Sequence, residues 1–192
     1  YCSEWNWAGR NKNDDDIETI VNTLEKIIKT YQDLGYRYFK LYLSGGEPTY
    51  WKALLPVVNK FREMVEWPGS SVGINTNFSR PLHWWEEHHA LFEDVVASYH
   101  PEWTKEEKYM QNYKFLQDKK NYLCSRVMMQ KENFQQCVDF TNRIKNECDN
   151  YIIEYAPVYD ALRPSTEPYH YDDPDQLAFI KSHTTDRQQK IE

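Results

Sequence analysis

What most constrains the fold is the alternation of two periodicities. Ile17, Ile20, Val21, Leu24, Ile27, Ile28, Tyr31 and Leu34 recur at three- and four-residue spacing, the stripe an amphipathic helix buries. Asp14 to Asp16 offer its cap and Gly35 its stop. Tyr38 to Leu43 then form a short aromatic and aliphatic run that reads as a strand. The same exchange repeats along the chain. Leu54 to Val65 read as a helix with Pro56 in or near its first turn. Trp67 to Ser70 are a loop, and Val72 to Thr76 a strand. Pro81 to Phe92, Lys105 to Lys119 and Phe134 to Asn146 read as helices, and Asp94 to Tyr99, Tyr122 to Met129 and Tyr151 to Val158 as strands. Strands separated by single helices pair in parallel through right-handed crossovers, so the pattern predicts an α/β fold and excludes sandwiches and helix bundles.

With 192 residues, of which 40% are hydrophobic and 16% aromatic, the chain can bury one substantial core. The core domain is placed at residues 1–160. Beyond it, residues 161–192 are polar and punctuated by Pro164, Pro168 and Pro174, and read as an extension with a short helix near Asp175 to Lys181.

The net charge of −7 argues against generic nucleic-acid binding, which needs clustered cations against phosphate. No run reaches the roughly 18 apolar residues of a membrane-crossing helix. Cys2, Cys124, Cys137 and Cys148 show neither paired zinc spacing nor a secreted disulfide framework, and read as reduced thiols of a cytoplasmic protein.

Polar residues gather at the strand ends, where parallel folds bind ligands. These ends carry Gly45-Gly46-Glu47, Asn75-Thr76-Asn77, Ser98-Tyr99-His100, Arg126 and Tyr155-Ala156-Pro157. The glycine pair after Leu41-Tyr42-Leu43-Ser44 lets a small molecule lie against main-chain amides and carbonyls. Strand parity puts Arg126 on one face with Cys124 and Met128, where a guanidinium needs an anion. That anion is either a ligand carboxylate or the side chain of Glu47 or Glu154. His100 is either a proton donor toward substrate or a hydrogen-bonded structural histidine. His83 and Glu87 have helical ligand spacing but no HExxH order, and read as a solvated helix face.

Tyr1-Cys2 near the start and Gly45-Gly46-Glu47-Pro48 one helix and one strand later resemble the radical S-adenosylmethionine superfamily. Its signatures are a CxxxCxxC cluster loop and a GGEP turn. The resemblance implies a partial (β/α)6 TIM-like barrel whose first strand and first two cluster cysteines lie outside this chain. The chain begins with Tyr, and reads as part of a longer protein cut just before its third cluster ligand.

The resemblance further implies that Cys2 holds a [4Fe-4S] cluster and that Tyr1 lies near the adenine of S-adenosylmethionine. Gly45, Gly46 and Glu47 would receive the methionine amine, and Thr76, Asn77 and Ser98 would contact ribose or carboxylate. Arg126 would contact the cofactor carboxylate. A reductant such as flavodoxin or ferredoxin would deliver the electron that cleaves the cofactor, so that a 5′-deoxyadenosyl radical takes hydrogen from a small-molecule or peptide substrate. Trp5 and Trp7 would wall the cluster or pack the loop. The competing expectation from another class is a noncatalytic binding module built on a degenerate barrel. A hydrolase using Glu47 is disfavoured, because no partner carboxylate or nucleophile stands at another strand end.

Overall fold

The computed structural model describes residues 16–158 and 171–183. Five strands form one parallel sheet in sequential order: β1 (Lys40–Leu43), β2 (Ser71–Thr76), β3 (Asp94–Tyr99), β4 (Tyr122–Met129) and β5 (Ile152–Pro157). Between them run α2 (Leu54–Met64), α3 (Leu82–His88), α4 (Glu106–Leu116) and α5 (Phe134–Glu147), with α1 (Ile17–Asp33) before and α6 (Pro174–His183) after. Sequential parallel order with alternating helices is compatible with part of a (β/α) barrel.

Side-chain parity shows which face is covered. Val72 and Ile74, Val95, Ala97 and Tyr99, Leu123, Val127 and Met129, and Tyr155 join one core with Leu54, Val58 and Phe61 of α2, Trp85 of α3, Tyr109 and Tyr113 of α4 and Phe140 and Ile144 of α5. The intervening residues belong to the other face, since successive side chains on a strand point oppositely. That face carries Lys40 and Tyr42, Gly73 and Asn75, Asp94 and Ser98, Cys124 and Arg126, and Glu154. The two faces therefore differ in kind: one is an apolar core, the other a polar surface with Val96 and Cys124 buried at its centre.

Three local outcomes differ from the periodicity reading. On α1 only Ile28 is buried, whereas Ile17, Ile27, Tyr31 and Leu34 stay exposed. Among the described residues α2 is its main neighbour, and half of its apolar stripe is left uncovered by the core. The helix after Pro81 tightens into a 3₁₀ turn over His89–Leu91 instead of continuing to Phe92. And part of the extension joins the core: Tyr171 and Ile180 are buried, with Tyr171 Oη donating to the carbonyl of Met129 at 2.6 Å. No described helix is long and apolar enough to cross a membrane.

Candidate functional site

The glycine turn is built first by its backbone. Ser44, Gly45 and Gly46 are exposed beyond β1, with φ of +96° at Gly45 and +52° at Gly46. These left-handed angles suit glycine and strain branched residues. A Cβ built on Gly46 meets nothing within 4 Å, so the turn's outer side is open among the described residues.

Glu47 then anchors the turn to the next strand. Its Oε1 accepts from Thr49 N (3.2 Å), Thr49 Oγ1 (2.6 Å) and Thr76 Oγ1 (2.9 Å), and its Oε2 from Asn77 N (2.6 Å). Four donors thus converge on one carboxylate. The same residue caps the 3₁₀ turn Pro48–Tyr50. The sequence placed Glu47 among the ligand contacts; the structure shows its side chain holding the ends of β1 and β2 together.

Thr76 changes role for the same reason. It is 3% exposed, its hydroxyl donates to Glu47, and it accepts from Phe78 N at 3.1 Å. A ribose or carboxylate contact does not fit a hydroxyl already committed twice and sealed from solvent. Asn77 is exposed, with its Oδ1 accepting from Ser79 N at 2.9 Å.

Phe78 has φ +55°, uncommon for a residue with a side chain. The surrounding loop over-determines it. Asn112, fully buried on α4, donates through Nδ2 to the carbonyls of Phe78 (3.3 Å) and Arg80 (3.0 Å). Tyr50 Oη and Lys108 Nζ both donate to the Ser79 carbonyl. Arg80 donates through Nε and Nη2 to Thr49 O at 3.1 and 2.7 Å and lies 3.9 Å over the Tyr50 ring.

At the end of β3 a second loop is pinned from beneath. Tyr99 Oη donates to Glu106 Oε1 at 2.7 Å, and Gln136 Nε2 donates to Tyr99 Oη (3.1 Å) and the Pro101 carbonyl (3.4 Å). His100 N donates to Thr104 Oγ1 at 3.0 Å, while its carbonyl accepts from Trp103 N and Thr104 N. Burial holds the His100 imidazole below its usual range, with Glu102 pulling the other way.

A histidine kept neutral by folding binds fewer protons than it does unfolded, so stability falls as pH drops below the ordinary value of about 6.5. His89, lowered by burial and by Lys120 and Lys119, adds to the same loss. The denaturant midpoint is expected to fall between about pH 7.5 and 5.5, and to fall less in His100→Asn. An equal loss in both proteins would show that His100 does not titrate differently on folding.

Arg126 lies, as parity predicts, on the face of Cys124, and its register partners are Ser98 on β3 and Glu154 on β5. Its Nε donates to Glu154 Oε2 at 2.8 Å, so of the three anions the sequence left open the structure pairs it with Glu154. Tyr155, expected at the mouth, belongs to the covered face and pairs with Thr141 Oγ1 at 3.4 Å. His83 and Glu87 are exposed on α3. Tyr1, Cys2, Trp5 and Trp7 lie outside the described residues. Among the described residues no group of three or more His, Cys, Asp or Glu is placed to hold a metal.

Sequence reasoning missed the floor of the polar face. Lys40 Nζ meets Asp94 Oδ2 at 2.7 Å, and Tyr42 Oη donates to Asn75 Oδ1 at 2.6 Å while Asn75 Nδ2 donates to Ser44 Oγ at 3.3 Å. Burial pushes the Tyr42 phenol up, opposed by the Arg126 and Lys40 charges. One signal was available in Gly73, since a Cβ there would fall 2.5 Å from Tyr42 Cδ2. A glycine inside a strand marks a close approach of this kind. No protein-family model matches the chain, and no curated protein matches it either.

Proposed function

We propose that the chain is the core of a radical S-adenosylmethionine enzyme, with the strand mouth around Gly45, Gly46 and Asn77 as its cofactor site. The observation that carries this reading is the glycine turn. It is exposed and left-handed, no described atom stands within 4 Å of where a Gly46 side chain would begin, and it is fixed to the adjoining strand end by a carboxylate that accepts four hydrogen bonds from within the protein. A backbone presented in this way suits an ammonium group, which needs carbonyl acceptors close by and no side chain in between.

When bound, the cluster and S-adenosylmethionine supply reductive cleavage of a sulfonium and, with it, the power to take a hydrogen from substrate. Cys2 would be the chain's thiolate to iron. The carbonyls of Gly45 and Gly46 would accept from the methionine amine, and Asn77 and Ser98 would bond the ribose. Glu47 and Thr76 keep the Asn77 turn at a fixed distance from the glycine turn. The pinned Asn77–Arg80 and His100–Thr104 segments give the site rigid walls, which positioning of a reacting group requires.

The test uses the natural protein, including whatever residues precede Tyr1, reconstituted with iron and sulfide under anaerobic conditions. Reduction is expected to release 5′-deoxyadenosine and methionine, counted by chromatography. Gly46→Asn tolerates a left-handed backbone yet fills the open side of the turn. It is expected to lower S-adenosylmethionine affinity by about tenfold or more in calorimetric titration with the fold intact. A folded Gly46→Asn protein of unchanged affinity would remove the turn from the site. Binding without cleavage would assign the chain to a noncatalytic module.

A further inference from the structure

The glycine turn is fastened to β2 on both sides. Glu47 holds its far end through Thr76 Oγ1 and the Asn77 amide. Its near end is held by a chain that starts at Tyr42, whose Oη donates to Asn75 Oδ1 at 2.6 Å, while Asn75 Nδ2 donates to Ser44 Oγ at 3.3 Å. Burial pushes the phenol up against the pull of the Arg126 and Lys40 charges, so it keeps its proton and stays a donor at neutral pH.

The ring and its hydroxyl answer to different demands. Tyr42 is the register partner of Gly73, and its ring lies over that glycine, where a Cβ would fall 2.5 Å from Cδ2 and 2.6 Å from Cε2. An aromatic ring over a cross-strand glycine stabilises the pairing, and phenylalanine supplies the same face. The hydroxyl is the part that packing leaves unexplained. With the ring laid across β2 it reaches Asn75, the diagonal neighbour beyond Gly73, and through it the residue that leads into Gly45. Tyr42 is 42% exposed and Ser44 is exposed, so water replaces these two bonds on unfolding and they add little to stability. Their effect is on where the turn stands.

We propose that Tyr42 is a positioning residue of the glycine turn, acting through Asn75 on Ser44 so that the Gly45 and Gly46 carbonyls stand where an ammonium group meets them. Assigning that ammonium to S-adenosylmethionine rests on the reading given above. Glu47 is bonded to buried threonines and serves stability as well as placement, whereas the Tyr42 chain serves placement alone. A turn anchored at one end only keeps its fold and loses its preorganisation, and a ligand that must order it binds more weakly.

Tyr42→Phe removes the hydroxyl and keeps the ring. Both arms of the test use the natural protein, including whatever residues precede Tyr1. In the ¹⁵N-labelled protein before reconstitution, the order parameters of the Gly45 and Gly46 amides are expected to fall in Tyr42→Phe relative to those of β2, with the denaturation midpoint unchanged. In the reconstituted protein, Tyr42→Phe is expected to weaken S-adenosylmethionine binding about three- to tenfold in calorimetric titration, the range one net hydrogen bond spans. Asn75→Ala is expected to weaken it by at least as much. Adding Tyr42→Phe to Asn75→Ala is expected to bring no further loss, because the chain is already cut.

Unchanged order parameters in Tyr42→Phe would overturn the proposal whatever the cofactor does. Where S-adenosylmethionine binds, an unchanged affinity would overturn it too, as would a loss that adds fully to that of Asn75→Ala and so marks a phenol touching the ligand itself. A fall in stability matching the fall in affinity would make Tyr42 a residue of the sheet and not of the site. A looser glycine turn in a protein that takes no S-adenosylmethionine supports the positioning role and removes the cofactor reading. Cofactor bound equally by wild type and Tyr42→Phe leaves the cofactor reading standing and removes the positioning role.

Discussion

Glu47→Leu is expected to lower the unfolding free energy of the chain by about 3 to 5 kcal/mol, with no cofactor present. The carboxylate accepts four hydrogen bonds, three of them from the buried Thr49 and Thr76 hydroxyls and the Thr49 amide. A buried donor left without its acceptor costs about 1–3 kcal/mol, and bonds to a charged group lie toward the upper end. Asn77 N is on an exposed residue and regains water, which keeps the total below the sum of four.

Glu47→Gln separates shape from charge. The amide keeps one accepting oxygen, and the threonine hydroxyls can rotate to meet its NH₂, so a loss of about 1–2 kcal/mol is expected. Urea denaturation of the three proteins decides it. A Glu47→Leu protein within about 1 kcal/mol of wild type would mean that the ends of β1 and β2 are held by the sheet alone.

Much of the scaffold was legible because each strand here has a single helix for company. β3 at Asp94–Tyr99 and β4 at Tyr122–Met129 coincide with the runs read from sequence, since short apolar and aromatic runs between two helical stretches stand out even where, as at Val95-Val96-Ala97, both faces are buried. Pro56 falls at the third residue of α2, where its missing N–H has no intrahelical partner to lose. What failed was burial on α1, because periodicity reports which residues share a face and not whether anything covers that face.

The candidate site was legible only in part. Composition and order place Gly45, Gly46, Asn77, Ser98 and Arg126 at strand ends, but they do not say which polar groups are spent on one another. Thr76 and Asn77 are adjacent in sequence, yet one is sealed behind the sheet and the other exposed, a division set by strand parity and by Glu47 reaching across from the neighbouring strand end. Lys40 with Asp94 is a pair at 54 residues' separation that one sequence does not reveal, and Arg126 with Glu154, at 28, was one of three partners the sequence left open. Phe78 gave no signal at all, because its left-handed backbone is imposed by tertiary contacts and not by local preference.

Trp85→Ala is expected to cost about 3–5 kcal/mol, and its effect should reach the strand mouth. Trp85 is fully buried and meets Phe78 edge-on at 5.2 Å, Trp84 at 5.0 Å and Phe92 at 6.2 Å. Backbone strain of the kind Phe78 carries costs on the order of 1–3 kcal/mol and persists only where packing over-determines it. Removing the indole takes away one wall of the pocket that holds the Phe78 ring, so relaxation toward ordinary angles becomes favourable there. Trp85→Phe is expected to cost far less, because an aromatic ring remains and the buried indole N–H, which has no hydrogen-bond partner among the described residues, is removed with it. Hydrogen exchange locates the effect. In Trp85→Ala the amides of Asn77 and Ser79, bonded to Glu47 and to the Asn77 side chain, should exchange faster relative to β3 amides than they do in wild type. If the variant is destabilised but that ratio is unchanged, the Asn77 turn owes its shape to Glu47 and Asn112 alone, and the aromatic cluster beneath it serves only the core.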